Sequence, residues 1–242
     1  MELRDRPIGV FDSGLGGISV LQACTALLPA EDFLFFGDSA NAPYGERSLD
    51  EVRALTMAGA EHLLAAGVKA IVVACNTATS AAIGLLRETW PTLPIIGIEP
   101  AVKPAALHSR SGVVGVLATV GTFSGRLYRE TKRTFAKDVT VLAAVADEFV
   151  TLVERGETSG TEAERIVRAR IEPLLAAGAD YLVLGCTHFP HLMNLIQKVV
   201  DGRAVVVEPS EAVARQALHL LKQHELVADR SERATNHVFI RT

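Results

Sequence analysis

Two of the three cysteines in this 242-residue chain stand at matching places. Val73-Ala74-Cys75-Asn76-Thr77-Ala78-Thr79-Ser80 and Leu184-Gly185-Cys186-Thr187-His188-Phe189-Pro190-His191 both run from apolar residues into a cysteine and then into polar ones. A helix carrying Ile83, Leu85 and Leu86 is expected directly after the first. A cysteine at such a helix N-terminus lies among backbone N–H groups that favour its thiolate. The second has His188 two positions on, and histidine is the usual partner for poising a thiol. Two thiols on opposite faces of one carbon could remove a proton from one side and return one to the other, since such an inversion needs an acid/base group on each face. Other chemistry is open to these residues taken singly. Cys75 alone could be a small residue closing a strand. Cys186 with His188 could be a hydrolase nucleophile and its base, which leaves the matching Cys75 without a task. Cys-x-His could be half a zinc site, but no third and fourth ligand stand at familiar spacing, so no metal is expected.

The elements that must hold these thiols are legible as an internal repeat. Residues 63–75 read LLAAGVKAIVVAC and residues 174–186 read LLAAGADYLVLGC, with seven of thirteen positions identical at an offset of 111. A helix-start signal precedes each copy, Ser48 with Glu51 and Thr161 with Glu164. Glu99-Pro100 and Glu208-Pro209 follow them, and Gly9 to Gly14 has a counterpart in Gly115 to Gly121. Strands are expected at 8–11, 33–36, 70–73, 95–98, 113–117, 139–143, 181–184 and 205–207, alternating with helical patterns; a helix over 17–28 would put Cys24 in the core. That alternation predicts an α/β fold with mainly parallel sheets, built as two related halves. Ligands of open α/β sheets bind beyond the carboxyl ends of the strands, where each repeat places its cysteine. Two halves facing one another would aim both thiols into one cleft.

The composition narrows the partners. With 49% hydrophobic and 21% charged residues the chain can bury an ample core. A net charge of −4 offers no basic field for nucleic acid or anionic lipid. No apolar run approaches the roughly 20 residues of a membrane span, and the residues after Met1 lack a secretory signal core. Three cysteines make no disulfide framework, so a reduced, cytoplasmic protein is expected. None of the six lysines sits in a motif like those above, so a pyridoxal Schiff base is not expected.

A further loop, Asp12-Ser13-Gly14-Leu15-Gly16-Gly17, joins a strand to a helix but lacks G-x-G-x-x-G spacing, and Asp12 would repel a pyrophosphate. Asp12 suits an ammonium group or a thiol's proton; a plain helix cap is the alternative. This loop, Gly37-Asp38-Ser39-Ala40-Asn41-Ala42-Pro43-Tyr44-Gly45, Cys75 to Thr79, Gly115 to Thr119 and Gly185 to His188 together resemble the glutamate racemase family, in the expected order over most of the chain. The resemblance implies two pseudo-symmetric three-layer domains, 1–97 with 208–242 and 98–207, with the active site in the cleft between them. It implies cofactor-independent racemisation of glutamate, with Cys75 and Cys186 as proton-transfer groups, Asp12 assisting Cys75 and His188 assisting Cys186. Glu154 matches a glutamate the family uses near the second cysteine, although Ala146-Asp147 and Val150-Thr151 depart from the family's pattern there and a surface carboxylate is the alternative. Substrate contacts carried over are Asp12, Ser13, Tyr44, Gly45, Asn76, Thr77, Thr187 and His188. The implied role is supply of D-glutamate for peptidoglycan by a homodimer. Another acidic substrate such as aspartate is the rival within the wider family, and no gyrase contact is expected.

Overall fold

The computed structural model describes residues 2–229 and 236–242. In chain order the elements are β1 (Ile8–Asp12), α1 (Ile18–Leu27), β2 (Phe33–Gly37), α2 (Leu49–Ala65), β3 (Ala70–Val73), α3 (Asn76–Thr89), β4 (Ile95–Gly97), α4 (Val102–His108), β5 (Val113–Ala118), α5 (Val120–Ser124), α6 (Arg126–Phe135), β6 (Thr140–Val145), α7 (Asp147–Glu154), α8 (Thr161–Ala176), β7 (Tyr181–Leu184), α9 (Met193–Val200), β8 (Val205–Val207), α10 (Ser210–Gln223) and β9 (His237–Arg241), with short 3₁₀ turns between some of them. The chain divides into two compact units, 1–98 with 210–242 and 99–209, against the expected breaks at 97/98 and 207/208.

The first unit is built on a five-stranded sheet in the order β4-β3-β1-β2-β9 and the second on a four-stranded sheet in the order β6-β5-β7-β8. Every pairing is parallel. Read from the other edge, the second sheet runs β8-β7-β5-β6, which repeats β4-β3-β1-β2 strand for strand. The duplication seen in the sequence is thus a duplication of topology, and β9 is an addition to the first copy. Strands buried on both faces explain the unbroken apolar runs. In the first unit Ile8, Val10, Phe33, Phe35 and Val72 face α1 and α10, while Phe11, Leu34, Phe36, Ile71 and Val73 face α2 and α3. In the second, Leu117, Leu182 and Leu184 pack on α7, α8 and α9, and Val114, Val116 and Val183 on α4 and α6. Cys24 lies in the first core as expected, and burial pushes its thiol up to about 12.

The Leu-Leu-Ala-Ala-Gly repeat has a mechanical reason. Gly67 and Gly178 take φ of 81° and 88°, a conformation that favours glycine, and terminate α2 and α8. In each copy the glycine N–H reaches the second leucine's carbonyl (2.9 and 3.0 Å) and the next N–H reaches the first leucine's (3.4 and 3.1 Å). The chain then turns directly into β3 or β7. The starts of the two helices differ. Ser48 and Glu51 form the expected capping box on α2. On α8 the cap is Gly160, with φ 93°, and Thr161 is the first helical residue. Glu164 instead pairs with Arg168 and Lys198, charges that outbid the capping geometry.

At the amino ends of the first sheet, Lys69 is fully buried and donates to Glu31 and to the carbonyl of Arg4, while the other oxygen of Glu31 accepts from Ala228 N (2.8 Å). Removing one partner of such a pair strands a buried charge. Lys69→Met is expected to cost about 3–5 kcal/mol of unfolding free energy, read from urea unfolding of the intact chain; a midpoint left in place would show that the pair carries no such stability.

Candidate active site

Each unit gathers its chemistry-bearing residues at the carboxyl ends of its central strands. In the first, Asp12 is the last residue of β1 and is fully buried. Its Oδ2 accepts from Gly14 N (2.9 Å), so it organises the loop and does not cap α1, whose N-cap is Gly17. A Cβ at Gly17 would fall 2.6 Å from that of Asp12, so only glycine lets the loop fold this closely over the carboxylate. Ser13 is buried beside it.

Cys75 follows β3 and is the N-cap of α3, with Ala78 N donating to its Sγ at 3.4 Å. An N–H aimed at sulfur from the positive end of a 14-residue helix holds negative charge there. Asn76 and Thr77 form the first turn and are buried. The amide N and O of Asn76, in a residue only 3% exposed, have no hydrogen-bond partner among the described residues.

Tyr44 and Gly45 lie buried in a 3₁₀ turn after β2. The Tyr44 hydroxyl donates to Asp38 Oδ2 at 2.7 Å. Burial first, then that hydrogen bond and the charges of Asp38, Cys75 and Asp12, push the phenol far above its ordinary range, so it is a permanent donor within electrostatic reach of Cys75 and Asp12. Sequence reasoning gave Asp38 no role. Its one signal was a carboxylate directly after a buried strand.

The second unit arms its cysteine differently. Cys186 follows β7, but a 3₁₀ turn (Phe189–Leu192) stands where α3 stands in the first copy. Cys186 Sγ lies 3.7 Å from His188 Nδ1, and His188 Nε2 lies 2.7 Å from Glu154 Oε1. With Glu154 drawing the proton to Nε2, Nδ1 turns its lone pair to the thiol. Glu154 ends α7, and Phe149 of that helix meets Phe189 edge-on at 5.0 Å, which brings carboxylate and imidazole together across 34 residues of sequence. Thr187 is buried next to the pair. Ala118, the counterpart of Asp12, is apolar and fully buried, so this copy has no matching carboxylate at its first strand. Among the described residues no three His, Cys, Asp or Glu side chains converge to hold a metal, and no helix is long and apolar enough to cross a membrane.

Two duplicated α/β units with a buried cysteine at the same strand end define a recognisable pattern, and the Asp/Glu/Hydantoin racemase family matches residues 8–217. The chain belongs to that family. Among curated relatives, the glutamate racemase of Ectopseudomonas mendocina (strain ymp) is 46% identical over 98% of this chain and 90% of its own length. That of Roseiflexus sp. (strain RS-1) is 42% identical over 92% and 82%. Among solved structures, glutamate racemase isoform RacE1 from Bacillus anthracis superposes with a TM-score of 0.89 at 31% identity, over 99% of this chain and 89% of that one. The Escherichia coli glutamate racemase, solved with L-glutamate and the activator UDP-MurNAc-ala, gives 0.86 at 31% identity over 98% and 89%. The protein is thus an isomerase, an amino-acid racemase.

In this racemase Glu154 lies on Nε2 of His188, while Nδ1 of the same ring faces the thiol. Glu154→Gln keeps the shape and an acceptor oxygen but removes the negative charge that favours a proton on Nε2. Turnover is expected to fall on the order of 10²-fold with little change in thermal midpoint; full activity in a folded variant would remove Glu154 from the machinery.

Proposed function

We propose that this racemase interconverts L-glutamate and D-glutamate without a cofactor, with Cys75 and Cys186 as opposed acid/base groups. The observation that carries the reading is the pair of buried thiols at equivalent strand ends, each with a neighbour able to hold charge or take a proton. The substrate is supported by relatives named glutamate racemase at 42–46% identity over nearly the whole chain.

In the proposed cycle a thiolate on one side takes the α-proton and the electron pair stays on carbon. The thiol on the other side delivers its proton to that carbon, and the two sulfurs end with their protonation states exchanged. One substrate carbon must therefore be reached by both sulfurs. Asp12 assists Cys75 and suits the substrate ammonium. His188, oriented by Glu154, assists Cys186. Fixed dipoles stabilise charge that develops at the carbanion. Ser13, Tyr44, Gly45, Asn76, Thr77, Thr187 and His188 bind the substrate, the helix N-terminus of α3 being suited to a carboxylate. Asn76 fits this role well, because a buried amide without a partner among the described residues is costly alone, a cost that a polar ligand offsets. The product serves peptidoglycan assembly in the cytoplasm, and the enzyme works as a homodimer.

In heavy water with no added cofactor, the α-hydrogen of each glutamate enantiomer is expected to exchange, and either Cys75→Ser or Cys186→Ser to abolish racemisation. A requirement for pyridoxal phosphate, or full activity of Cys75→Ser, would refute the mechanism. Asn76→Ala removes no protein hydrogen bond of that amide among the described residues, so it is expected to cost the fold less than about 1 kcal/mol while raising KM for glutamate. An unchanged KM would take Asn76 out of the binding set.

A further inference from the structure

β9 looks dispensable by the usual measure of packing. Val238 is 53% and Phe239 60% exposed, and the strand adds little to the core. It nevertheless ends at the candidate site. β9 pairs with β2 in a register that sets Arg241 against Gly37, and Thr242 N continues the ladder to Gly37 O at 3.2 Å. The Thr242 hydroxyl then donates to Asp38 Oδ1 (2.9 Å) and accepts from Ala40 N (3.0 Å). The same buried carboxylate takes both its oxygens' contacts from Asn41 Nδ2 (3.0 and 3.1 Å) and the hydrogen bond from Tyr44. Arg47 Nε in turn donates to the carbonyl of Asn41 (2.7 Å). Residues 38–47 are therefore wrapped around one carboxylate, and a side chain 204 positions away fixes one of its oxygens.

We propose that Thr242 and Asp38 are positioning residues that hold Tyr44 and its loop in substrate-binding geometry, so that β9 is a functional strap on the site. The proposal rests on Tyr44 contacting glutamate in the proposed racemisation. Asp38 acts through the Tyr44 hydroxyl, and Thr242 acts through Asp38. A phenol with one anchoring bond loses orientation when its anchor rotates; Thr242 keeps the anchor from rotating.

The test compares wild type, Thr242→Val and Thr242→Ser. Valine is near in shape but can neither donate to Asp38 nor accept from Ala40. Thr242→Val is expected to raise KM for glutamate about 3- to 10-fold, the span of one net hydrogen bond, with kcat nearly unchanged, and to speed amide hydrogen exchange across residues 38–47. Thr242→Ser restores both. In a Tyr44→Phe background Thr242→Val adds nothing to KM, because the bond it steadies is already gone. Wild-type KM and exchange in Thr242→Val, or equal impairment of the serine variant, would overturn the proposal. If the wild-type protein fails to racemise glutamate, the functional reading falls instead, and the exchange comparison still decides whether Thr242 holds the loop.

Discussion

A thiol withdrawn from water exchanges its proton only where neighbouring groups can hold the charge that the sulfur gains and loses. Cys75 and Cys186 are 6% and 8% exposed, so bulk solvent supplies little of that support. In the first unit the direct contact to sulfur includes backbone. The positive end of α3 starts at the sulfur, Ala78 N points at it, and the capping geometry leaves no freedom to turn away. In the second it is a side-chain relay, sulfur to imidazole to carboxylate, held by aromatic packing of α7 on the turn after β7. One device is a fixed helix dipole, the other a pair of side chains.

That difference is set against an otherwise repeated frame. The strand order, the glycine that ends the helix before β3 or β7, and the cysteine at the strand end recur in both units. What varies lies beyond the strand ends. Asp12 is matched by Ala118, and the long helix after Cys75 by a 3₁₀ turn after Cys186. A duplicated scaffold keeps the sulfurs at equivalent places while the loops surround each one with different neighbours. A proposed reaction that runs in both directions needs two groups of one chemical kind; it does not need their surroundings to match.

Much of this was legible in the sequence because it depends on local pattern. Strands buried on both faces read as short apolar runs, and an identical pentapeptide before each of two strands reveals the repeat. The cap at Thr161 was misread because a signal four residues long cannot show that Glu164 has other partners in Arg168 and Lys198. β9 was not anticipated, since His237-Val238-Phe239-Ile240-Arg241 is short, is flanked by polar residues and belongs to no copy of the repeat. Asp38 was passed over for a related reason. Its importance comes from three donors converging on it, one of them near the far end of the sequence, and convergence has no linear signature. Glu154 could be named only through a family resemblance; its bond to His188 spans 34 residues and depends on how α7 packs.

The two ends of β3 show how the first unit separates holding from reacting. Lys69, just before the strand, holds its charge among partners that include Glu31 and the Arg4 carbonyl, and Ala228 N donates to the same carboxylate. Such a buried charge is compensated by its partners. Two residues past the other end, Cys75 stands next to an amide, that of Asn76, which has no partner among the described residues. A buried polar group left unmatched weakens the fold and gains when a complementary ligand arrives, so the free energy withheld from stability is available for binding. Four residues of strand separate the two regimes, short enough that the amino end is locked by an ion pair while the carboxyl end carries an amide unmatched among the described residues.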